Sequence, residues 1–300
     1  MSFLRLPRLH EYRPQRTAAG HLIESETAVQ TVTSADGTVL AYDQLDGVAG
    51  TVILIGGAFG YRKFPKMVAL AETLHKQYGL TVLNYDRRGR GDSTDRAAGY
   101  DVRHEIDDLT ALVAAAGGSA MLFGWSSGAG LALRAAASGQ IPGITKVVAF
   151  EPPFVVDHEN FVPAADLETT LHELIAAGKR SETVRFYMTK AMGIPRGFVT
   201  LMRWTPFWRN LRATAHSTAY DWAVMREFMR GEPLRTEDWS GVKAQTLVIA
   251  GAKSDALLRT GARAIAAVLP DAEFTEIPRL SHNPDIRLLA PPAGEFLTTA

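Results

Sequence analysis

Gly124-Trp125-Ser126-Ser127-Gly128 joins an apolar run at 120–123, the pattern of a buried strand, to an Ala/Leu-rich stretch with the pattern of a helix. A serine at the apex of such a turn needs small residues two positions before and after it, because strand and helix crowd together there. Gly124 and Gly128 supply them, so Ser126 reads as the nucleophile of an elbow. A serine hydroxyl attacks only if a base takes its proton, and the base needs a carboxylate to hold its tautomer. Two later loops offer both. The strand expected at 246–250 runs into Gly251-Ala252-Lys253-Ser254-Asp255, and the strand at 273–277 into Pro278-Arg279-Leu280-Ser281-His282-Asn283. In a parallel sheet these loops leave the same edge as the elbow. Ser126, Asp255, His282 is also the chain order that goes with such an elbow. Asp255 competes with a second role, as the cap of a helix beginning near Leu257. Glu151, at the end of the strand after the elbow helix, is the rival acid and otherwise a polar contact near the pocket floor. The chemistry this set supports is acyl transfer to water through an acyl-serine.

The elements that must position these residues follow from periodicity. Residues 31–33 and 39–42, around Ser34-Ala35-Asp36-Gly37, read as an antiparallel hairpin. The β-branched, apolar run at 51–55 and the runs at 80–84, 120–123 and 146–150 read as inner parallel strands. Between them, 63–77 and 101–116 have apolar residues at helical spacing. This βαβα rhythm predicts a parallel sheet covered by helices on both faces. From about 155 to 234 no β run is convincing; helical patterns cover 167–177, 181–191, 195–203, 207–217 and 220–230. The α/β rhythm then resumes at 246–250, with helices over 260–268 and 292–297. The organisation expected is an arm at 1–28, a core at 29–152 and 236–300, and a helical lid at 153–235.

Composition narrows the function classes. The 300 residues carry 32 basic and 32 acidic side chains, a formal net charge of zero, which gives no electrostatic reason to expect nucleic acid or an anionic membrane as partner. There is no cysteine, hence no disulfide, thiolate nucleophile or Cys-based metal site. His104, His158, His172 and His216 lack zinc-ligand spacing. Gly128 and Gly130 are not a dinucleotide fingerprint, because the turn before them carries a serine elbow and no acidic residue stands at the ribose-binding distance. No cofactor or metal is expected. The first 28 residues, with Arg5, Arg8, Arg13 and Arg16, lack the apolar core of a signal peptide, and no window approaches a membrane span. The default compartment is the cytoplasm, the partner a small-molecule substrate, and a homodimer is compatible with all of this.

Taken together, the elbow, the two loops and the segment Asn84-Tyr85-Asp86-Arg87-Arg88-Gly89-Arg90-Gly91-Asp92-Ser93 resemble the α/β-hydrolase superfamily, specifically its lid-bearing, esterase-like branch. The resemblance covers roughly 29–152 and 236–300. It implies an eight-stranded, mostly parallel sheet flanked by helices, with the lid inserted after the sixth core strand. The serine matches Ser126, the acid Asp255 and the late histidine His282. The Asp86–Ser93 stretch resembles the family's Asp-x-x-Gly-x-Gly-x-Ser loop, which braces the active-site edge. For the oxyanion hole, two backbone amides aimed at the developing charge, the resemblance implies Ser127 and Ala58, with Phe59 the alternative to Ala58 if the loop register slips by one. The chain departs from the pattern at Gly56-Gly57, where many relatives have His-Gly, an imidazole that normally has a structural role in this loop.

A small, largely apolar ester or lactone is the substrate expectation. Trp125 beside the nucleophile, Phe59, and Trp204, Phe207, Trp208 and Met225 in the lid are its expected lining, against the alternative that the lid aromatics are only lid core. Thioesterase, carbon–carbon bond hydrolase and perhydrolase activity are not separated from esterase by sequence. A non-catalytic binding protein and a cofactor-free oxygenase on the same fold are the competing classes.

Overall fold

The structure is a computed structural model that describes residues 29–96, 99–159 and 161–299; the expected arm at 1–28 lies outside them. Eight strands form one sheet in the order β1-β2-β4-β3-β5-β6-β7-β8. They are β1 (Gln30–Thr33), β2 (Val39–Leu45), β3 (Thr51–Ile55), β4 (Thr81–Tyr85), β5 (Ala120–Trp125), β6 (Ile144–Phe150), β7 (Gln245–Gly251) and β8 (Ala272–Ile277). β1 and β2 pair antiparallel, and β2 runs antiparallel to β4. Every other pairing is parallel.

The inner strands are mostly apolar because both faces are covered, and successive side chains divide between two cores. Ile53 and Ile55 of β3 point into one buried cluster, Val52 and Leu54 into the other. The first cluster is closed by α2 (Val102–Ala115) and α3 (Ser127–Ala137), through Ile106, Leu109, Leu131 and Leu133. The second is closed by α1 (Pro65–Tyr78) and α11 (Ile286–Thr298), through Met67, Leu70, Leu289 and Leu297. Gly79, in the left-handed region at φ 66°, ends α1, and an Asp101/His104 capping box starts α2.

Between β6 and β7 the chain forms a helical insertion: α4 (Leu167–Ala176), α5 (Arg180–Lys190), α6 (Arg196–Met202), α7 (Phe207–Ala213), α8 (Thr218–Met225) and the short α9 (Thr236–Trp239). The helices expected at 207–217 and 220–230 each end as single 3₁₀ turns, Ala215–Ser217 and Arg226–Phe228. α10 (Ala256–Val268) then packs on β7. The last helix is longer than expected. It starts at Ile286, capped by the Asp285 carboxylate, and tolerates Pro291 and Pro292 in its second turn, where two lost N–H donors interrupt the ladder without ending it.

Candidate functional site

At the end of β5 the backbone reverses into α3 through Ser126, whose φ of 58° and ψ of −124° are unusual for a residue with a Cβ. Such a conformation costs of order 1–3 kcal/mol and persists only where the surroundings dictate it. Here the glycines dictate it. A Cβ on Gly124 would stand 2.4 Å from Cα of Ala129, and one on Gly128 would stand 2.2 Å from the Ile55 carbonyl oxygen. Gly57, from the loop after β3, lies closest to the serine: a Cβ there would come within 2.9 Å of Ser126 Cβ.

His282 follows β8 on a turn with Arg279 at φ 65°. Its Nδ1 lies 2.7 Å from Oε2 of Glu151, which is fully buried. The other carboxylate oxygen, Oε1, accepts the Gly251 N–H at 2.7 Å. Glu151 is the residue after β6 and has φ 48°, so it turns inward at the strand end. The imidazole is flanked by Phe150, near-parallel at 6.1 Å, and by Trp125, edge-on at 6.4 Å. Lys66 Nζ donates to the Pro284 carbonyl at 2.6 Å and ties down the loop beyond the histidine.

The acid expectation is therefore corrected. Asp255 is exposed at the N-terminus of α10 and makes no side-chain cap bond. The carboxylate bonded to His282 is that of Glu151.

The loop after β3 turns tightly at Phe59, φ 61°, with the Gly60 N–H donating to the Gly57 carbonyl at 2.9 Å. Two buried guanidiniums brace this loop. Arg90 Nη1 donates to the Gly57 carbonyl at 2.7 Å, and Arg87 Nη1 to the Gly56 carbonyl at 3.3 Å. Both also bond Asp221 of α8, Arg87 at Oδ1 and Arg90 at Oδ2, each at 2.7 Å. Ser127 Oγ donates to that same Oδ1 at 2.7 Å. One carboxylate from the insertion thus links the glycine loop to the residue after Ser126. Arg87 is matched further by Glu105, at 2.5 Å. Burial pushes the Asp221 and Glu105 carboxyls up, but the guanidiniums beside them outweigh it and hold both below the ordinary carboxylate range.

Ser126 and His282 open into one cavity of about 300 Å³. Its walls include Ala58, Phe59, Phe64, Trp125, Met188, Phe207 and Leu211, with Asn283 polar at the rim. Of the expected lining, Phe59, Trp125 and Phe207 are present. Three residues are not. Trp204 is 88% exposed and is not part of the cavity wall. Trp208 is buried within the insertion against Val184, Val199 and Leu211, and Met225 packs its sulfur over Gly130 of α3. Larger clefts, such as the one beside Arg134 and Trp239, contain neither Ser126 nor His282. Among the described residues no group of His, Asp or Glu is arranged to hold a metal ion.

Sequence reasoning missed Arg87, Arg90 and Asp221 as site residues. A signal for them existed: three arginines in the Asp86–Ser93 stretch, and a lone aspartate in the otherwise uncharged Thr218–Met225 helix.

A doubly covered sheet in this strand order, interrupted by helices after β6 and turning at a strained serine after β5, defines an α/β hydrolase. The chain belongs to the alpha/beta hydrolase family, whose model matches residues 30–293. Among solved structures it is similar to an alpha/beta hydrolase from Sphaerobacter thermophilus DSM 20745, at 39% identity and TM-score 0.79, covering 90% of this chain and 100% of that one. An esterase from Rhodococcus sp. ECU1013 shares the fold at 17% identity and TM-score 0.58, over 90% of this chain and 98% of that one. A proline iminopeptidase of Mycobacterium smegmatis does so at 19% and 0.59, over 90% and 97%. No match is found among the curated proteins.

Proposed function

We propose that the chain is a serine hydrolase that cleaves a small, largely apolar carboxylic ester or lactone through an acyl-serine at Ser126. The observation that carries this reading is the shared cavity: Ser126 and His282 face it together, and His282 is held from behind by the buried Glu151. In the mechanism, His282 Nε2 takes the Ser126 proton as Oγ attacks the ester carbonyl. The oxyanion that forms is met by the N–H groups of Ser127 and Ala58. The Ser127 amide belongs to the first turn of a helix, where N–H groups have no intrahelical partner. His282 then passes its proton to the departing alkoxide. In the second half it deprotonates a water that attacks the acyl-serine, and it returns that proton to Ser126 Oγ as the acid leaves. Glu151 accepts the hydrogen bond from Nδ1–H throughout and stays ionised, fixing the tautomer and stabilising the imidazolium. These steps use side chains and backbone amides alone.

The lining supports an apolar acyl or alkyl group. Phe59, Phe64, Trp125, Met188, Phe207 and Leu211 give no charged partner for a substrate, and the insertion acts as the lid that closes over them. Among the described residues no helix is long and apolar enough to cross a membrane, and the cytoplasm is the compartment this reading assumes. The test is covalent labelling. The protein is incubated with a fluorophosphonate and its intact mass measured, with peptide mapping of the adduct. One adduct on Ser126, absent from Ser126→Ala, is expected. Labelling elsewhere, or equal labelling of Ser126→Ala, contradicts the reading.

A further inference from the structure

The neutral net charge conceals a local asymmetry. Residues 183–217 contain Arg185, Lys190, Arg196, Arg203, Arg209 and Arg212 and no aspartate or glutamate. All six are exposed, and none takes part in an ion pair among the described residues. The same stretch leaves large apolar side chains in water. Phe198 is 53% exposed, Leu201 70% and Trp204 88%. Phe198 and Leu201 lie on α6 and Trp204 two residues beyond its end, whereas Val199 of the same helix is buried in the cluster that holds Trp208 and Leu211. Met192 and Phe207 of the same stretch, also exposed, line the cavity that holds Ser126 and His282.

We propose that this face of the insertion docks on an anionic lipid surface, with Leu201 and Trp204 entering the headgroup boundary and the arginines around them meeting lipid charge. Exposed apolar side chains, an indole among them, interspersed along the stretch with unpaired cations have the composition of an interfacial element. A second copy of this chain fits poorly, because a two-fold contact would set six unpaired cations against their own images. Single-stranded nucleic acid would account for the arginines and Trp204 but leaves Leu201 and Met192 without a role. Docking brings the cavity mouth to the lipid. On the serine-hydrolase reading, the substrate class then becomes an amphiphilic ester drawn from the bilayer; the docking itself does not depend on that reading.

The experiment uses the full chain as Ser126→Ala, so that turnover plays no part. It is mixed with vesicles of phosphatidylcholine alone or of phosphatidylcholine and phosphatidylglycerol in equal parts, sedimented, and the bound fraction measured. Quenching of tryptophan fluorescence by brominated lipid is read in parallel. Expected is binding to the anionic vesicles at least about tenfold tighter than to the neutral ones and weakened by salt. Adding Trp204→Ser should remove most of the quenching, and Arg196→Gln with Arg203→Gln should lower binding by a similar factor. The proposal is overturned by absence of binding to anionic vesicles, or by binding that ignores Trp204→Ser. It is equally overturned if the protein binds a single-stranded oligonucleotide but no vesicle, or self-associates through Trp204 instead.

Discussion

Oε2 of Glu151 lies 2.7 Å from Nδ1 of His282, across the end of a sheet in which their strands are not neighbours. β7 runs between them, and its last residue, Gly251, donates its N–H to the other oxygen of the same carboxylate. A charge so fully buried is tolerable only when its lone pairs are met, and here one donor is a backbone amide and the other the imidazole. Removing either leaves the carboxylate short of a partner, which is why the pairing holds the ring in one orientation.

Asp221 is expected to act through the groups it holds. In Asp221→Asn, Arg87 retains Glu105 and Arg90 retains the Ser217 hydroxyl at 3.0 Å, but the charge that joined them is lost. Breaking a buried pair of this kind costs about 3–5 kcal/mol, to be measured by denaturant unfolding. On the proposed mechanism the glycine loop that Arg90 braces meets the oxyanion and not the ground state, so on an activated aryl ester kcat should fall by much more than KM rises. Ser127→Ala, which removes one hydroxyl and leaves the carboxylate, should cost only about 1 kcal/mol. A KM effect without a kcat effect would separate Asp221 from the oxyanion loop.

Gly57 and Gly56 provide a matched pair. A Cβ on Gly57 would stand 2.8 Å from the Trp125 carbonyl oxygen and 2.9 Å from Ser126 Cβ, whereas one on Gly56 would meet nothing nearer than 3.7 Å. Gly57→Ala should therefore displace the serine and cost about a hundredfold in turnover, with the circular dichroism spectrum unchanged. Gly56→Ala should stay within a few-fold of the parent. Equal turnover of the two variants would remove Gly57 from the site's geometry.

The α/β rhythm was legible because the inner strands are largely apolar runs alternating with stretches of helical spacing. Ser126 was legible because it stands directly after such a run, and His282 because it lies in the loop that follows the last strand. The acid was not, since Glu151 and Asp255 both follow strand ends and these strands, β6 and β7, are neighbours. What separates them is a positive φ at Glu151, which no residue pattern announces. The expectation for Trp204 failed for a related reason. α6 is apolar on both sides, Val199 inward and Phe198 and Leu201 outward, so periodicity could not tell core from surface. Asp221 meets Arg90 across 131 positions, beyond any local signal.

Stability should vary with pH in two opposed windows. Glu105 and Asp221 are held below the ordinary carboxylate range, so their contribution is present above about pH 4 and lost as acid protonates them. Asp108, where burial outweighs the Arg88 guanidinium, is pushed up to about 6. Its contribution has the other sign: present below about pH 4 and lost as pH rises through 6. Thermal melts of Asp108→Asn should therefore lose the decline in Tm between about pH 4 and 6 while keeping the collapse at lower pH. An unchanged slope in that interval would contradict the assignment to Asp108.

The central claim, that Glu151 orients His282 to activate Ser126, is tested most directly by the turnover numbers of Glu151→Gln and Asp255→Asn on the same short-chain aryl ester. Both proteins are first shown to be folded by circular dichroism. Neutralising the acid of such a triad costs about ten-thousand-fold in kcat, so Glu151→Gln should be nearly inactive. Asp255→Asn, which changes an exposed carboxylate outside the His282 hydrogen bond, should stay within a few-fold of the parent. An active Glu151→Gln beside a dead Asp255→Asn would contradict the account.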